Sequence, residues 1–298
     1  MDVGLHALGI GAAARPEIIA AVGTAAEAGG FATLWAGEHV VMVDRPASTY
    51  PYSADGRMAV PADADWLDPL LALSYVAAVT RTIGVATGIL LLPEHNPVLV
   101  AKQAATLDLL CGGRFTLGVG IGWSAEEFAA LGVPFARRGA RTAEYVHAMR
   151  ALWADDVASF GGEFLGFEDV RTYPKPVRDR RIPVVLGGNS DTALERAAAF
   201  GDGWYGFNFA LADVPGRVAV LREAARRRQR DPRELSVAVA VPDCQPADLA
   251  GLAAAGVREL VLVAAPPADA AEAADWVRGL ASRWVPAARA VTGTPGPT

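Results

Sequence analysis

The sequence predicts an α/β protein, a (β/α)8 TIM barrel with insertions after strand 2 and before strand 5, and three observations carry that reading. Eight short apolar runs, at 3–10, 33–37, 83–92, 115–120, 183–186, 203–207, 236–241 and 259–263, have the length and composition of strands. Each is followed by a stretch whose apolar residues recur at helical spacing. No linker interrupts the 298 residues, and eight strands alternating with eight helices in a chain of that size is the count of a closed barrel. A doubly wound parallel sheet is the competing arrangement for the same alternation.

Taken in order, the run at 3–10 is followed by a helix whose stripe is Ile18, Ile19, Val22, Ala25 and Ala26, closed by Gly29-Gly30. Strand 33–37 ends on Glu38-His39. A long connection then follows, 43–65, carrying Tyr50, Pro51, Tyr52 and Pro61. A loop of that length in a compact domain reads as a lid or a disordered segment, and this one leaves the C-terminal end of a strand, where barrel active sites lie. A helix at 67–79 leads to strand 83–92, which ends on Pro93-Glu94-His95-Asn96, and to a helix at 98–110. Strand 115–120 ends on Gly120-Ile121-Gly122-Trp123 and precedes a helix at 137–153. Residues 161–181, with Phe164, Phe167 and Tyr173-Pro174-Lys175-Pro176, form the second insertion and read as a hairpin against the barrel.

Strand 183–186 runs into Gly187-Gly188, where backbone can approach a ligand, and Ser190 or Asn189 caps a helix at 192–200. A strand that ends at a helix N-terminus is a candidate anion site. Strand 203–207, helix 213–229, strand 236–241, helix 246–255, strand 259–263 and helix 268–284 complete the alternation. Residues 1–285 read as one barrel domain, and 286–298, ending Thr294-Pro295-Gly296-Pro297, as a flexible tail.

Composition narrows the function classes. A formal charge of −6 with scattered Lys and Arg argues against a nucleic-acid surface. The cluster Arg226-Arg227-Arg228 with Arg230 sits at a helix end, where it complements the dipole. Cys111 and Cys244 are far apart and lack ligand spacing, so neither a disulfide framework nor a metal site is expected. Arg81 interrupts the most apolar region well short of a membrane span, and no charged-then-apolar leader is present, so the expectation is a soluble, cytoplasmic protein that acts on a small molecule.

The chemistry collects at the C-terminal ends of the strands. His39 can place a donor beside a ligand ring, with its neighbour Glu38 tuning its protonation, or serve as a capping or core histidine. His95, His6 and His147 read as structural. The segment Gly118-Val119-Gly120-Ile121-Gly122-Trp123 fails the dinucleotide fingerprint because its third glycine falls on Trp123. Glycines at alternate positions of a strand tip instead let a flat ring lie against backbone. There is no Gly-x-Ser-x-Gly elbow, no Walker lysine and no pair of carboxylates at useful spacing, so hydrolase and kinase readings have no anchor.

Four groups of residues, Trp35-Ala36-Gly37-Glu38-His39, the run from Ile83 to Pro93, Gly112-Gly113-Arg114-Phe115 with Gly118 to Trp123, and Leu186 to Ser190 with Gly201-Asp202-Gly203-Trp204, together resemble the luciferase-like monooxygenase superfamily. The likeness is greatest to the branch that uses the 5-deazaflavin coenzyme F420. The resemblance implies a coenzyme ring at the barrel mouth, with its phosphate near Gly187, Gly188, Asn189 and Ser190, His39 close to the reactive C5 carbon, and Glu38 touching the ring system. It makes Gly88-Ile89 the place of a non-prolyl cis peptide, a bulge supporting one face of the ring, with Gly120, Gly122 and Trp123 also at the coenzyme. The sugar-phosphate dehydrogenases of the branch carry a proton-accepting glutamate where this chain has Trp123, which argues against their substrate. The implied function is hydride transfer between deazaflavin C5 and a small organic substrate by a homodimer; the alternatives are an FMN-dependent monooxygenase and a catalytically silent flavin-binding protein.

Overall fold

The computed structural model describes residues 1–292. Its strands are β1 (Asp2–Leu8), β2 (Thr33–Ala36), β3 (Gly84–Thr87), β4 (Phe115–Val119), β5 (Ala158–Gly161), β6 (Gly166–Val170), β7 (Val184–Gly187), β8 (Gly203–Phe207), β9 (Ser236–Ala240) and β10 (Glu259–Val263). Eight of them are parallel and close on themselves in the order β1, β10, β9, β8, β7, β4, β3, β2, while β5 and β6 form a separate antiparallel hairpin. The helices are α1 (Pro16–Gly29), α2 (Pro69–Val79), α3 (Pro97–Leu110), α4 (Ala125–Ala130), α5 (Arg138–Ala154), α6 (Asp191–Phe200), α7 (Val214–Arg227), α8 (Leu249–Ala255) and α9 (Ala270–Thr292). This is the (β/α)8 barrel that the alternation predicts.

Local chemistry starts and stops the helices that face the mouth. Pro69 and Pro97 occupy the first turns of α2 and α3, where no amide is needed. Asp68 accepts from the Leu71 amide and Asn96 from those of Val98 and Leu99. Helix α1 ends on Gly30 at φ 83°, a left-handed cap.

Side chains alternate across the strands, as the pleat requires. Leu34, Val85, Val184, Leu186, Val237, Val239 and Leu260 point outward to the helices, and their neighbours Trp35, Ala86, Val185, Tyr205, Ala238, Ala240 and Val261 fill the lumen. Trp35 and Tyr205 stack there at 4.7 Å and 18°. Trp35 donates Nε1–H to Glu259 Oε1 at 3.2 Å, and the Tyr205 hydroxyl lies 3.2 Å from His6 Nδ1. Burial pushes the Glu259 carboxyl up to about 7 and His6 down to about 4, so His6 stays neutral. It is a core histidine, as expected.

Three boundaries differ from the sequence reading. The strand expected over 83–92 leaves its ladder after Thr87; the Gly88–Ile89 peptide is cis, Leu90 makes only an isolated bridge to Val119, and Leu92–Glu94 is a turn of 3-10 helix. Leu90, Leu91 and Leu92 are apolar because they are buried, and burial looks the same in a strand and in a turn. The last helix passes Pro286 and continues to Thr292, so residues 286–292 are helical rather than a tail. Val285 and Ala288 are buried and hold it to the barrel, and the Met1 ammonium donates to the Ala288 carbonyl. Residues 293–298 of the expected tail lie outside the described residues. Finally, the hairpin β5–β6 begins at Ala158, three residues before the expected insertion, and α4 is a helix that periodicity did not mark.

Candidate active site

His39 follows β2 and reaches across the mouth to α4, not back to its neighbour. Its Nδ1 lies 2.8 Å from Glu127 Oε2, with the two side chains 8% and 1% exposed. The other carboxylate oxygen of Glu127 accepts from the amides of Val40 at 2.8 Å and Val41 at 3.3 Å. A carboxylate partner makes Nδ1 the donor and fixes the tautomer, leaving Nε2 with no hydrogen bond among the described residues. The expectation that Glu38 is the carboxylate acting on His39 is therefore corrected: the partner is Glu127, distant in sequence. One signal pointed to it. Ser124-Ala125-Glu126-Glu127 has capping-box spacing, and Ser124 Oγ does accept from the Glu127 amide, but the Glu127 carboxylate turns to the mouth instead of back to the cap.

Glu38 is buried and committed elsewhere. Its Oε2 accepts from the Leu91 amide at 2.6 Å, and both oxygens lie 3.0 to 3.1 Å from His95 Nε2. Burial pulls the His95 imidazole down, but the bond to Glu38 and its charge outweigh that, and the net direction is up. His95 is thus structural, as expected, and its partner is the residue expected at the ring. Between these two pairs stands Glu94, 7% exposed, with neither carboxyl oxygen hydrogen-bonded. Burial, then the charges of Glu127 and Glu38, push its carboxyl up to about 9. Three carboxyl groups converge here from the segments after β2, β3 and β4, which no sequence spacing displays.

Trp123 stands over His39, edge-on at 5.9 Å, and meets Tyr50 of the long loop at 5.3 Å; its buried Nε1–H has no partner. Trp66 flanks the other side of His39 at 4.9 Å. The loop expected as a lid covers this end of the barrel. The Ala47 and Ser48 amides donate to Glu126 at 2.7 and 3.0 Å, and Asn208 donates to the Tyr52 carbonyl at 2.6 Å. A cavity of about 550 Å³ opens among the loop's own residues, Met42, Met58 and Val60 among them, and reaches His39, Trp123 and Glu127. The room left by Gly118 and Gly120 is already taken. A Cβ on Gly120 would lie 1.8 Å from Ile89 Cδ1, and one on Gly187 would lie 3.2 Å from Ile89 Cγ2, so the Ile89 side chain, not bare strand backbone, forms the floor of the mouth. Gly122, at φ 74°, gives way to Phe128 and Glu94.

At the end of β7 the chain makes the expected strand-to-helix turn. Ser190 is the cap, its Oγ accepting from the Ala193 amide at 3.2 Å. The Asn189 side chain is occupied: it donates to the Phe207 carbonyl at 2.6 Å and accepts from the Phe207 amide at 3.1 Å, tying β7 to β8. Gly188 sits at φ 106°, where a Cβ would lie 2.9 Å from that of Ala193. At the turn itself Arg217 donates to the Asn189 carbonyl at 3.2 Å and to Asp191 at 2.6 Å. Arg196 of α6, half-buried near Tyr52, has no carboxylate partner among the described residues, whereas Arg138 lies at the β4 loop and donates to the Gly122 carbonyl at 3.1 Å. Burial, then the charge of Arg138, lowers the Arg196 guanidinium. A capped helix start with an arginine near it that lacks a carboxylate partner is suited to an anion. Arg196 was not singled out from the sequence, because nothing local ties it to the turn at 188.

Comparison with known proteins agrees with the barrel fold. A family model described as luciferase-like monooxygenase matches residues 3–291. An uncharacterized protein of Mycobacterium tuberculosis (strain ATCC 25618 / H37Rv) is 36% identical over 265 residues, covering 89% of this chain and 93% of its own length. Among solved structures, monooxygenase RslO1 from Streptomyces bottropensis superposes with a TM-score of 0.76 at 19% identity, covering 96% of this chain and 99% of its own. The coenzyme F420 dependent tetrahydromethanopterin reductase from Methanopyrus kandleri does so at 0.73 and 16%, covering 96% and 98%. At those identities the two structures show a shared fold and nothing finer.

Proposed function

This chain belongs to the luciferase-like monooxygenase family, and from that premise we propose that it is an oxidoreductase dependent on coenzyme F420, acting on a small organic substrate held under the loop at 43–65. The observation that carries the reading is the His39–Glu127 pair facing the loop-lined cavity at the C-terminal mouth of the barrel, where this fold does its chemistry. When bound, the deazaflavin supplies the C5 carbon that gives or accepts a hydride, chemistry that belongs to the coenzyme.

The protein's residues bind, orient and move protons. Gly188, the helix start at Ser190 and the cation Arg196 would hold the phosphate, a fit supported by a cradle that a Cβ would fill. Gly187 and the Asn189 backbone belong to the same turn. Ile89, on the Gly88–Ile89 bulge, would lie under the ring, with Gly120 and Gly122 behind it. Glu127 fixes the His39 ring so that Nε2 can pass a proton to or from the substrate. Glu38 orders the Leu91 amide and His95 at the rim. Tyr50, Trp66 and Trp123 exclude water around His39.

The rival coenzyme is FMN, in a luciferase-like monooxygenase. Equilibrium fluorescence titrations with oxidised F420 and with FMN, side by side, decide between them. F420 is expected to bind more tightly; equal or tighter FMN binding sinks the deazaflavin reading. A protein that binds either ring yet turns over no substrate from a broad panel would be a silent binder.

No described helix is long and apolar enough to cross a membrane, which suits a cytoplasmic enzyme. Exposed Leu71 and Tyr75 on α2 and Leu99 on α3 form an apolar outer face that supports a homodimer. Sedimentation velocity is expected to show a dimer that Leu71→Glu with Leu99→Glu converts to monomer. A wild-type monomer at micromolar concentration removes the dimer from this reading.

A further inference from the structure

We propose that Glu94 is a positioning residue of the mouth: a neutral carboxylic acid packed between the Glu38–His95 and Glu127–His39 pairs, whose proton keeps a third negative charge away from the Glu38 and Glu127 carboxylates. The proposal rests on the role given to His39 above, but its tests need no coenzyme.

The three carboxyl groups of the cluster are unequal. Glu127 accepts two backbone amides and His39; Glu38 accepts one amide and His95. Each has donors enough to stand as a carboxylate away from water. Glu94 has none: both oxygens are buried and unpartnered, and the groups nearest them include the Phe128 ring and the glycine at 122. A third negative charge here would have no donor and two like charges beside it, so the proton stays on Glu94.

The charged groups around it come from every packed element. Glu38 lies after β2, His95 on the same loop as Glu94, Glu127 on α4, and Asp68 at the start of α2 bears on His95. Arg138 of α5 is spent on the Gly122 carbonyl and the Phe135 ring. No cation in this set pairs with Glu94 directly. Its proton is thus what limits the negative charge beside the His39–Glu127 pair, and loss of that proton at high pH loads the pair with a further charge.

The sign of the stability effect follows. In the unfolded chain Glu94 ionises near the ordinary value of 4.5, whereas in the folded protein it holds its proton to about 9. The folded state therefore binds the extra proton between those values, and stability falls as pH rises through that window. Glu94→Gln removes the titration while keeping shape and neutrality.

In the coenzyme-free full chain, Glu94→Gln is expected to melt at the same temperature as wild type in mild acid and progressively above it as pH rises toward 9. The His39 imidazole resonances of wild type should show a second inflection in the alkaline range that Glu94→Gln lacks. Infrared spectra of wild type itself should retain a protonated-carboxyl band at neutral pH, absent from the variant. A melting difference flat with pH, an unchanged His39 titration, a missing band, or a variant that fails to fold each overturns the proposal, since a neutral isostere belongs where a neutral acid stands. If these signatures appear and neither coenzyme binds, the proposed function has failed and Glu94's role has not.

Discussion

His39→Ala is expected to lower kcat by about a hundredfold or more while changing the Kd for coenzyme only a few-fold. The reason lies in where its interactions are made. A group that passes a proton acts in the transition state, and positioned acid-base groups contribute roughly 10² to 10⁴ in rate. Anion binding, by contrast, is assigned to the turn at Gly188 with Arg196, and His39 takes no part in it. Glu127→Gln is the companion variant. It keeps the shape of the side chain that holds Nδ1 at 2.8 Å but weakens the charge-assisted bond, so it should lose less rate than His39→Ala. Stopped-flow and steady-state kinetics with the coenzyme that binds, together with equilibrium titration, separate the two effects. A His39→Ala enzyme that turns over near the wild-type rate would reduce His39 to a packing partner of Trp66 and Trp123.

Gly188→Val is expected to weaken coenzyme binding by about tenfold or more, a loss of roughly 1.4 kcal/mol at least. Two physical facts combine at this position. The backbone is at φ 106°, which side chains of L-residues rarely adopt, and the added Cβ would lie 2.9 Å from that of Ala193, so the turn must shift where it should face the phosphate. The strain should cost about 1 to 3 kcal/mol of stability, leaving a folded barrel with a lower Tm without coenzyme. Ser190→Ala removes the cap to the Ala193 amide and should cost roughly 0.5 to 2 kcal/mol with a smaller loss of affinity. Arg196→Gln separates charge from conformation: it leaves the turn intact, and it should weaken binding and flatten its dependence on salt. A folded Gly188→Val protein with normal affinity takes this turn out of the site altogether.

The barrel was legible because its signals are local. The stripe of Ile18, Ile19, Val22, Ala25 and Ala26, the strand run at 203–207 and the glycine turn at 187 and 188 each repeat at the period of the element they build, and Ser190 announces its helix one residue ahead. The long loop at 43–65 was legible as a lid from its length and its place after a strand. His39 and Glu38 were legible as mouth residues for the same reason, since the end of β2 must lie at one rim of the barrel.

What those residues do to one another was not legible, because closure of the sheet decides it. Adjacent Glu38 and His39 turn to different partners, His95 from the segment after β3 and Glu127 from α4. Glu94 is neighbour to His95 in the chain, but its burial between Glu38 and Glu127 exists only once β2, β3 and β4 lie side by side. The Asn189 side chain, free in any local reading, is taken by the backbone of Phe207 because β7 and β8 pair. Sequence alone therefore determined the elements, their order and which strand ends carry polar residues. The tertiary structure decided which of those residues share a hydrogen bond or a dry pocket, since hydrogen bonding and charge depend on distance in space and periodicity reports only position along the chain.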